Sequence, residues 1–195
     1  MLCLEENKRI ILVGIPGVGK TTILTKMVEI LKDHQKTVNV VSFGSMMFEV
    51  AKDNGLKDRD ELRKLPVEEQ KKLQQLTAEK IVACKEQVVI VDTHAFINSP
   101  EGYYPGLPEN VLKIINPTNF VSVLAKPEEI YNRRMTDTTR NRDKINLINI
   151  NKELDIQSAM ISACTIITGS PVKHIFNSEG KIDETIDKII RALGL

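Results

Sequence analysis

The string Gly14-Ile15-Pro16-Gly17-Val18-Gly19-Lys20-Thr21 constrains this chain more than any other feature, because it matches G-x-x-x-x-G-K-[ST] in full and in context. It follows an apolar run at 10–13. It precedes the segment 21–34, whose apolar residues Ile23, Leu24, Met27, Ile30 and Leu31 recur at helical spacing. Strand, glycine turn and helix are therefore expected in that order. The glycines let successive backbone N–H groups turn inward around a phosphate, and the helix N-terminus adds partial positive charge. The Lys20 ammonium would reach the β- and γ-phosphates of a nucleotide, and the Thr21 hydroxyl would sit on Mg²⁺.

Further apolar runs at 38–41, 88–91, 120–125 and 172–176 bring the expected strands to about five. The runs at 38–41 and 88–91 are apolar at nearly every position, as strands buried on both faces of a parallel sheet should be. Helical patterns at 67–85, 128–135, 156–168 and 182–193 alternate with them, which predicts an α/β doubly wound sheet. Residues 98–108, rich in Pro, Gly and Tyr, and the polar stretch 137–146 fit neither pattern and read as binding loops or lids.

A phosphate loop alone leaves GTPases, motors, kinases and assembly ATPases open. The nearest approach to a guanine motif, Asn151-Lys-Glu-Leu154, has leucine where N-K-x-D needs an acid. Val88-Val-Ile-Val-Asp92 is an apolar strand ending in a carboxylate, so Asp92 is expected beside the Mg²⁺ site. His94, alone in the loop that follows, is assigned no catalytic role.

The chain has 19 lysines and eight arginines, and six of the arginines fall in two short segments. Arg59 and Arg63 lie in Asp58-Arg-Asp-Glu-Leu-Arg-Lys64; Arg133, Arg134, Arg140 and Arg142 lie within 133–142. Planar guanidinium forks suit phosphate better than lysine does. Two such groups predict two anionic substrates, one phosphate held on each side, with a lid that excludes water as the phosphoryl group moves.

The net charge of +1 over 195 residues offers no field for nucleic acid or an anionic membrane. Cys3, Cys84 and Cys164 are odd in number and lack C-x-x-C spacing, so neither disulfides nor a zinc site is expected. Glu5, Glu6, Asn7 and Lys8 interrupt any signal-like start, and no apolar stretch approaches membrane-spanning length, so a cytoplasmic location is expected.

Together these segments resemble the archaeal-type adenylate kinases, among the P-loop nucleoside monophosphate kinases. The resemblance rests on Gly14-Ile-Pro-Gly-Val-Gly-Lys-Thr-Thr22, Phe43-Gly44 with Met47-Phe-Glu-Val-Ala51, Asp58-Arg-Asp-Glu-Leu-Arg-Lys-Leu65, and Val91-Asp-Thr-His94. Gly102-Tyr-Tyr-Pro-Gly-Leu-Pro108, Thr138-Thr-Arg-Asn-Arg-Asp143 and Gly169-Ser-Pro-Val172 complete it. It implies a P-loop NTPase fold: one domain over 1–195 with a five-stranded parallel sheet flanked by helices, an AMP-binding helical segment at about 43–86 and a short lid at about 133–146.

It also implies reversible phosphoryl transfer from ATP to AMP with Mg²⁺, and assembly as a homotrimer. By the same resemblance Gly14 to Thr22 hold the ATP phosphates, Phe43, Gly44, Arg59, Arg63 and Gly106 bound the AMP site, and Arg133 or Arg134 contacts ATP. Arg140 and Arg142 reach over from the lid, and the loop 169–172 backs the adenine. The lid lacks the cysteine quartet that binds zinc in some bacterial relatives. Two other readings stay open: a kinase for another monophosphate or small molecule, and an adenylate-kinase-like ATP-binding switch or assembly factor.

Overall fold

The computed structural model describes residues 7–53, 55–58, 61–62, 65–136 and 146–195. Five parallel strands form the central sheet: β1 (Lys8–Val13), β2 (Val38–Ser42), β3 (Val88–Thr93), β6 (Asn119–Leu124) and β7 (Val172–Phe176), in the order β2-β3-β1-β6-β7. A separate antiparallel hairpin pairs β4 (Phe96–Ser99) with β5 (Gly102–Pro105).

Side chains alternate across the sheet, and both faces are covered. Ile10 and Leu12 of β1 pack with Ile23 and Met27 of α1 (Lys20–Asp33) and with Ile186 and Ile189 of α7 (Ile182–Leu193). Ile11 and Val13 face the other way, onto Ile81 of α3 (Val67–Val82), Leu112 of α4 (Glu109–Ile115) and Ile161 of α6 (Leu147–Thr168). That two-sided burial is why β1 carries no polar residue after Arg9: each apolar side chain has a helix waiting on its own face. A smaller cluster, Val50, Ala51, Leu62 and Leu73, joins α2 (Phe43–Asp53) to α3 away from the sheet.

Four features depart from the sequence pattern. Helix α2 begins at Phe43, directly after β2, with no loop to mark the boundary. The stretch 98–108 contains most of the hairpin, whose strands are largely exposed and so carry no apolar signal. Helix α4 has seven residues, too few for a clear period. Helix α6 begins at Leu147, nine residues ahead of the expected start at 156, with Asn146 as its cap: the Asn149 amide donates to the Asn146 side chain at 2.7 Å.

Candidate active site

The glycine loop leaves the C-terminal end of β1, the central strand, and runs into α1. Gly19, the cap residue of α1, stands at φ 93°, and a Cβ there would collide with the Asn177 amide, so only glycine fits. The loop's carbonyls are held from outside by side chains. Arg134 Nε donates to Pro16 O at 2.8 Å, Asn177 Nδ2 to Val18 O at 2.8 Å, and Arg133 NH1 lies 3.4 Å from both Gly17 O and Val18 O. His94 Nδ1 lies 3.1 Å from Gly14 O. Because each peptide is planar and trans, a carbonyl fixed outward leaves the following N–H on the opposite side. The outward tethers thus favour the inward donors that a phosphate nest requires.

The two adjacent arginines divide sharply. Both sit in the last turn of α5 (Pro127–Thr136). Arg134 is buried and is committed to protein: besides Pro16 O, its NH2 pairs with Glu153 of α6 at 2.6 Å. Arg133 keeps 30% of its side chain exposed at the loop, steadied by Glu129 at 3.1 Å. Arg134 is therefore a structural strut, and Arg133 is the one with a face left for ligand.

On the inner side of the loop Lys20 is 12% exposed, and its ammonium donates to Thr93 O at 3.0 Å and lies 3.2 Å from Asp92 Oδ1. Strand register accounts for this meeting, since Leu12 pairs with Asp92 and Val13 with Thr93. Among the described residues, Asp92 Oδ1 is buried and receives no hydrogen bond, its Lys20 contact being ionic only. A buried carboxylate oxygen with no hydrogen bond, at the end of the sheet that bears the loop, suits a hard divalent cation that takes oxygen ligands, and Thr21, directly after Lys20 in the first turn of α1, has an exposed hydroxyl side chain. Thr21 and Asp92 thus fit the Mg²⁺ expected from the sequence. No group of three or more metal-ligating side chains occurs among the described residues. Cys84 and Cys164 are free thiols, and burial pushes Cys164 up to about 11, far from a reactive thiolate.

Ser42 pairs with Asp92 across β2 and β3, so Phe43 and Gly44, at the start of α2, share the end of the sheet that bears the loop. Phe43 is buried. Gly106 is buried after the hairpin, its N–H donating to Ala95 O at 2.9 Å, and its Cα lies so close to the His94 carbonyl that a Cβ has no space. Gly106→Ala should therefore cost about 1–3 kcal/mol through forced backbone displacement. Thermal unfolding checks this, and an unchanged melting temperature would show that the hairpin yields freely. Arg59, Arg63, Arg140 and Arg142 lie outside the described residues.

The placement of the loop 169–172 is a correction. Ser170 Oγ donates to Pro117 O at 2.5 Å, and Phe120 N donates to Pro171 O at 2.8 Å, so the segment precedes β7 beside the start of β6. In a parallel sheet that is the end opposite the phosphate loop, and this segment does not back a nucleotide there. The segment after β7 does lie at the loop: Asn177, buried, bonds Val18 and also anchors through its own N–H to Leu124 O at 2.8 Å. Nothing in its sequence but a polar residue ending an apolar run could have flagged it.

Comparison with known proteins agrees with this architecture. A family model described as an AAA domain matches residues 13–151. An adenylate kinase of Methanocaldococcus jannaschii is 42% identical over 190 residues, covering 96% of this chain and 99% of its own. One from Thermoplasma volcanium is 41% identical over 186 residues, covering 95% and 99%. The chain belongs to the adenylate kinase family. Among solved structures, a shikimate kinase from Acinetobacter baumannii, in complex with shikimate, matches with a TM-score of 0.56 at 15% identity, covering 96% of this chain and 94% of that one. A second, from Bacteroides thetaiotaomicron, gives 0.58 at 12% identity, with 96% and 99% covered. These likenesses concern the fold: this adenylate kinase family member has the five-stranded parallel sheet, flanked by helices, of P-loop kinases. No helix among its described residues is long and apolar enough to cross a membrane.

Proposed function

We propose that this chain is an adenylate kinase, transferring the γ-phosphoryl group of ATP reversibly to AMP to give two ADP. The observation that carries the reading is the near full-length identity to curated adenylate kinases, together with a phosphate loop tethered outward and flanked by Lys20 and Asp92. Phosphoryl transfer asks for positioning and charge neutralisation more than covalent help, and this site is built of those elements.

In this reading Gly14 to Thr22 enclose the donor phosphates. Lys20 moves its ammonium from Thr93 O and Asp92 to the transferring group, since both partners are local and exchangeable. Arg133 contacts ATP from the loop's outer rim, beside Asn177. Mg²⁺, held through Thr21 and Asp92, would neutralise charge on the β- and γ-phosphates. Phe43, Gly44 and Gly106, with Arg59 and Arg63, bound the acceptor within a segment spanning about 43–86. Arg140 and Arg142 close from a lid at about 133–146 and exclude water. The enzyme works in the cytoplasm, as a homotrimer.

The test is ADP formation from ATP with AMP, CMP, UMP and GMP in turn, beside ATP hydrolysis with no acceptor. AMP-dependent turnover should exceed acceptor-free hydrolysis by on the order of 10²-fold or more, as water exclusion requires. Hydrolysis indifferent to AMP would replace the kinase by a nucleotide switch, and a preference for another monophosphate would change the acceptor. Diadenosine pentaphosphate, which spans both sites, should bind far more tightly than ATP in calorimetry. Equal affinities would leave only a donor site.

A further inference from the structure

We propose that His94 is a positioning residue for the phosphate loop: its Nδ1–H donates to the Gly14 carbonyl and fixes the peptide with which the loop begins. The inference rests on the adenylate kinase reading for its kinetic consequence but not for its geometry.

Gly14 O at 3.1 Å and Lys20 Nζ at 3.4 Å demand opposite protonation of His94 Nδ1. A lone pair on Nδ1 would accept from the ammonium but would then face the carbonyl oxygen. A proton on Nδ1 satisfies Gly14 O, the nearer of the two. Lys20 does not depend on the imidazole, because Thr93 O accepts from it at 3.0 Å and Asp92 offers a carboxylate at 3.2 Å. The geometry therefore selects the Nδ1–H tautomer.

The base of this side chain is fixed. Its own carbonyl packs against Gly106 without space for a Cβ, and the flanking Ala95 O and Thr93 O are bonded to Gly106 N and Lys20 Nζ. The imidazole thus reaches from an immobilised backbone after β3 to the first carbonyl beyond β1. The other outward tethers come from α5 and from Asn177. His94 alone among these holds the loop from the β3 side, at its entry. Loss of it frees the Gly14–Ile15 peptide to rotate, weakening the nest before any phosphate arrives. Because Gly106 abuts the same residue, the acceptor side and the donor loop share one support.

The experiment compares His94→Ala, His94→Gln and His94→Asn. Asparagine carries an N–H near the position of Nδ1, whereas glutamine carries its amide near that of Nε2. The Ala and Gln variants should raise KM for ATP about five-fold, the worth of one hydrogen bond of roughly 1 kcal/mol. KM for AMP should stay unchanged and kcat should fall less, while Asn should remain within about two-fold of wild type. Nitrogen-15 NMR of the free wild-type protein at mildly alkaline pH should show the proton on Nδ1. A proton on Nε2, an Asn variant as poor as Ala, or a rise in KM for AMP in place of ATP would each overturn the proposal. Should the Ala variant not fold, the Asn and Gln pair and the wild-type tautomer decide it. Should wild type form no ADP from ATP and AMP, the functional reading fails by itself, and calorimetric ATP affinity replaces KM.

Discussion

Lys20→Ala is expected to lower ADP-forming turnover by on the order of 10²-fold or more while leaving a folded protein. The ammonium is held by Thr93 O and Asp92, both at the rim of the site and neither part of the apolar core, so its removal opens no cavity among packed side chains. Its loss leaves Asp92 Oδ1, which is buried and makes no hydrogen bond, without the Lys20 ammonium, a stability cost of about 1–3 kcal/mol that falls toward the lower figure if water fills the space the ammonium leaves. The chemical loss is far larger, because a cation aimed at the transferring group acts in a closed site where charge is weakly screened. Steady-state turnover beside a thermal melt measures both. Residual turnover above about a tenth of wild type would mean that another cation neutralises the phosphoryl group.

Arg134→Leu should destabilise the protein by about 3 kcal/mol, whereas Arg133→Ala should leave stability almost unchanged. Removing one partner of a buried ion pair typically costs roughly 3–5 kcal/mol. The lower end applies because the Glu153 side chain is 26% exposed and recovers some hydration. Pro16 O also loses its donor at 2.8 Å, which frees the loop and should raise KM for ATP. For a chain of this size, about 3 kcal/mol corresponds to a melting temperature lower by roughly 6–12 °C. Differential scanning calorimetry of the two variants tests the division of labour. An Arg133 variant that melts early while the Arg134 variant does not would reverse the roles.

The inner strands were legible because burial on both faces leaves little room for polar residues at 10–13, 88–91 and 120–125, while the edge runs 38–41 and 172–176 kept enough apolar residues around Asn39, Lys173 and His174 to be recognised; all five became strands. The phosphate loop was legible because its glycines, Lys20 and Thr21 act through local spacing. What stayed hidden was whatever depends on distant partners. Arg133 and Arg134 are identical in sequence terms, and only the approach of Glu153 from α6 separates them. Asn177 reads as an ordinary residue at a strand end until the fold sets it against Val18. His94, a lone histidine, gains a role only because β3 lies beside β1. Helix α6 hid its first nine residues because it is apolar on several sides, which erases the period that marks an amphipathic helix. The arginines at 59, 63, 140 and 142 stand as the sequence left them, since they lie outside the described residues.

The strand that bears the phosphate loop lies ahead of both its partners in the chain and waits for each of them. Its partners in the sheet are β3, where Lys8 pairs with Val88, and β6, where Ile10 pairs with Asn119. A growing chain that stops short of residue 88 gives β1 no neighbour at all, and one that stops short of 119 leaves it a bare edge. The loop needs still more chain than its strand, because Arg133, Arg134 and Asn177 hold its carbonyls from outside. A ligand stabilises a state only as far as that state binds it, so any help that ATP gives to folding should be greatest once residue 177, the last of these tethers, is in place.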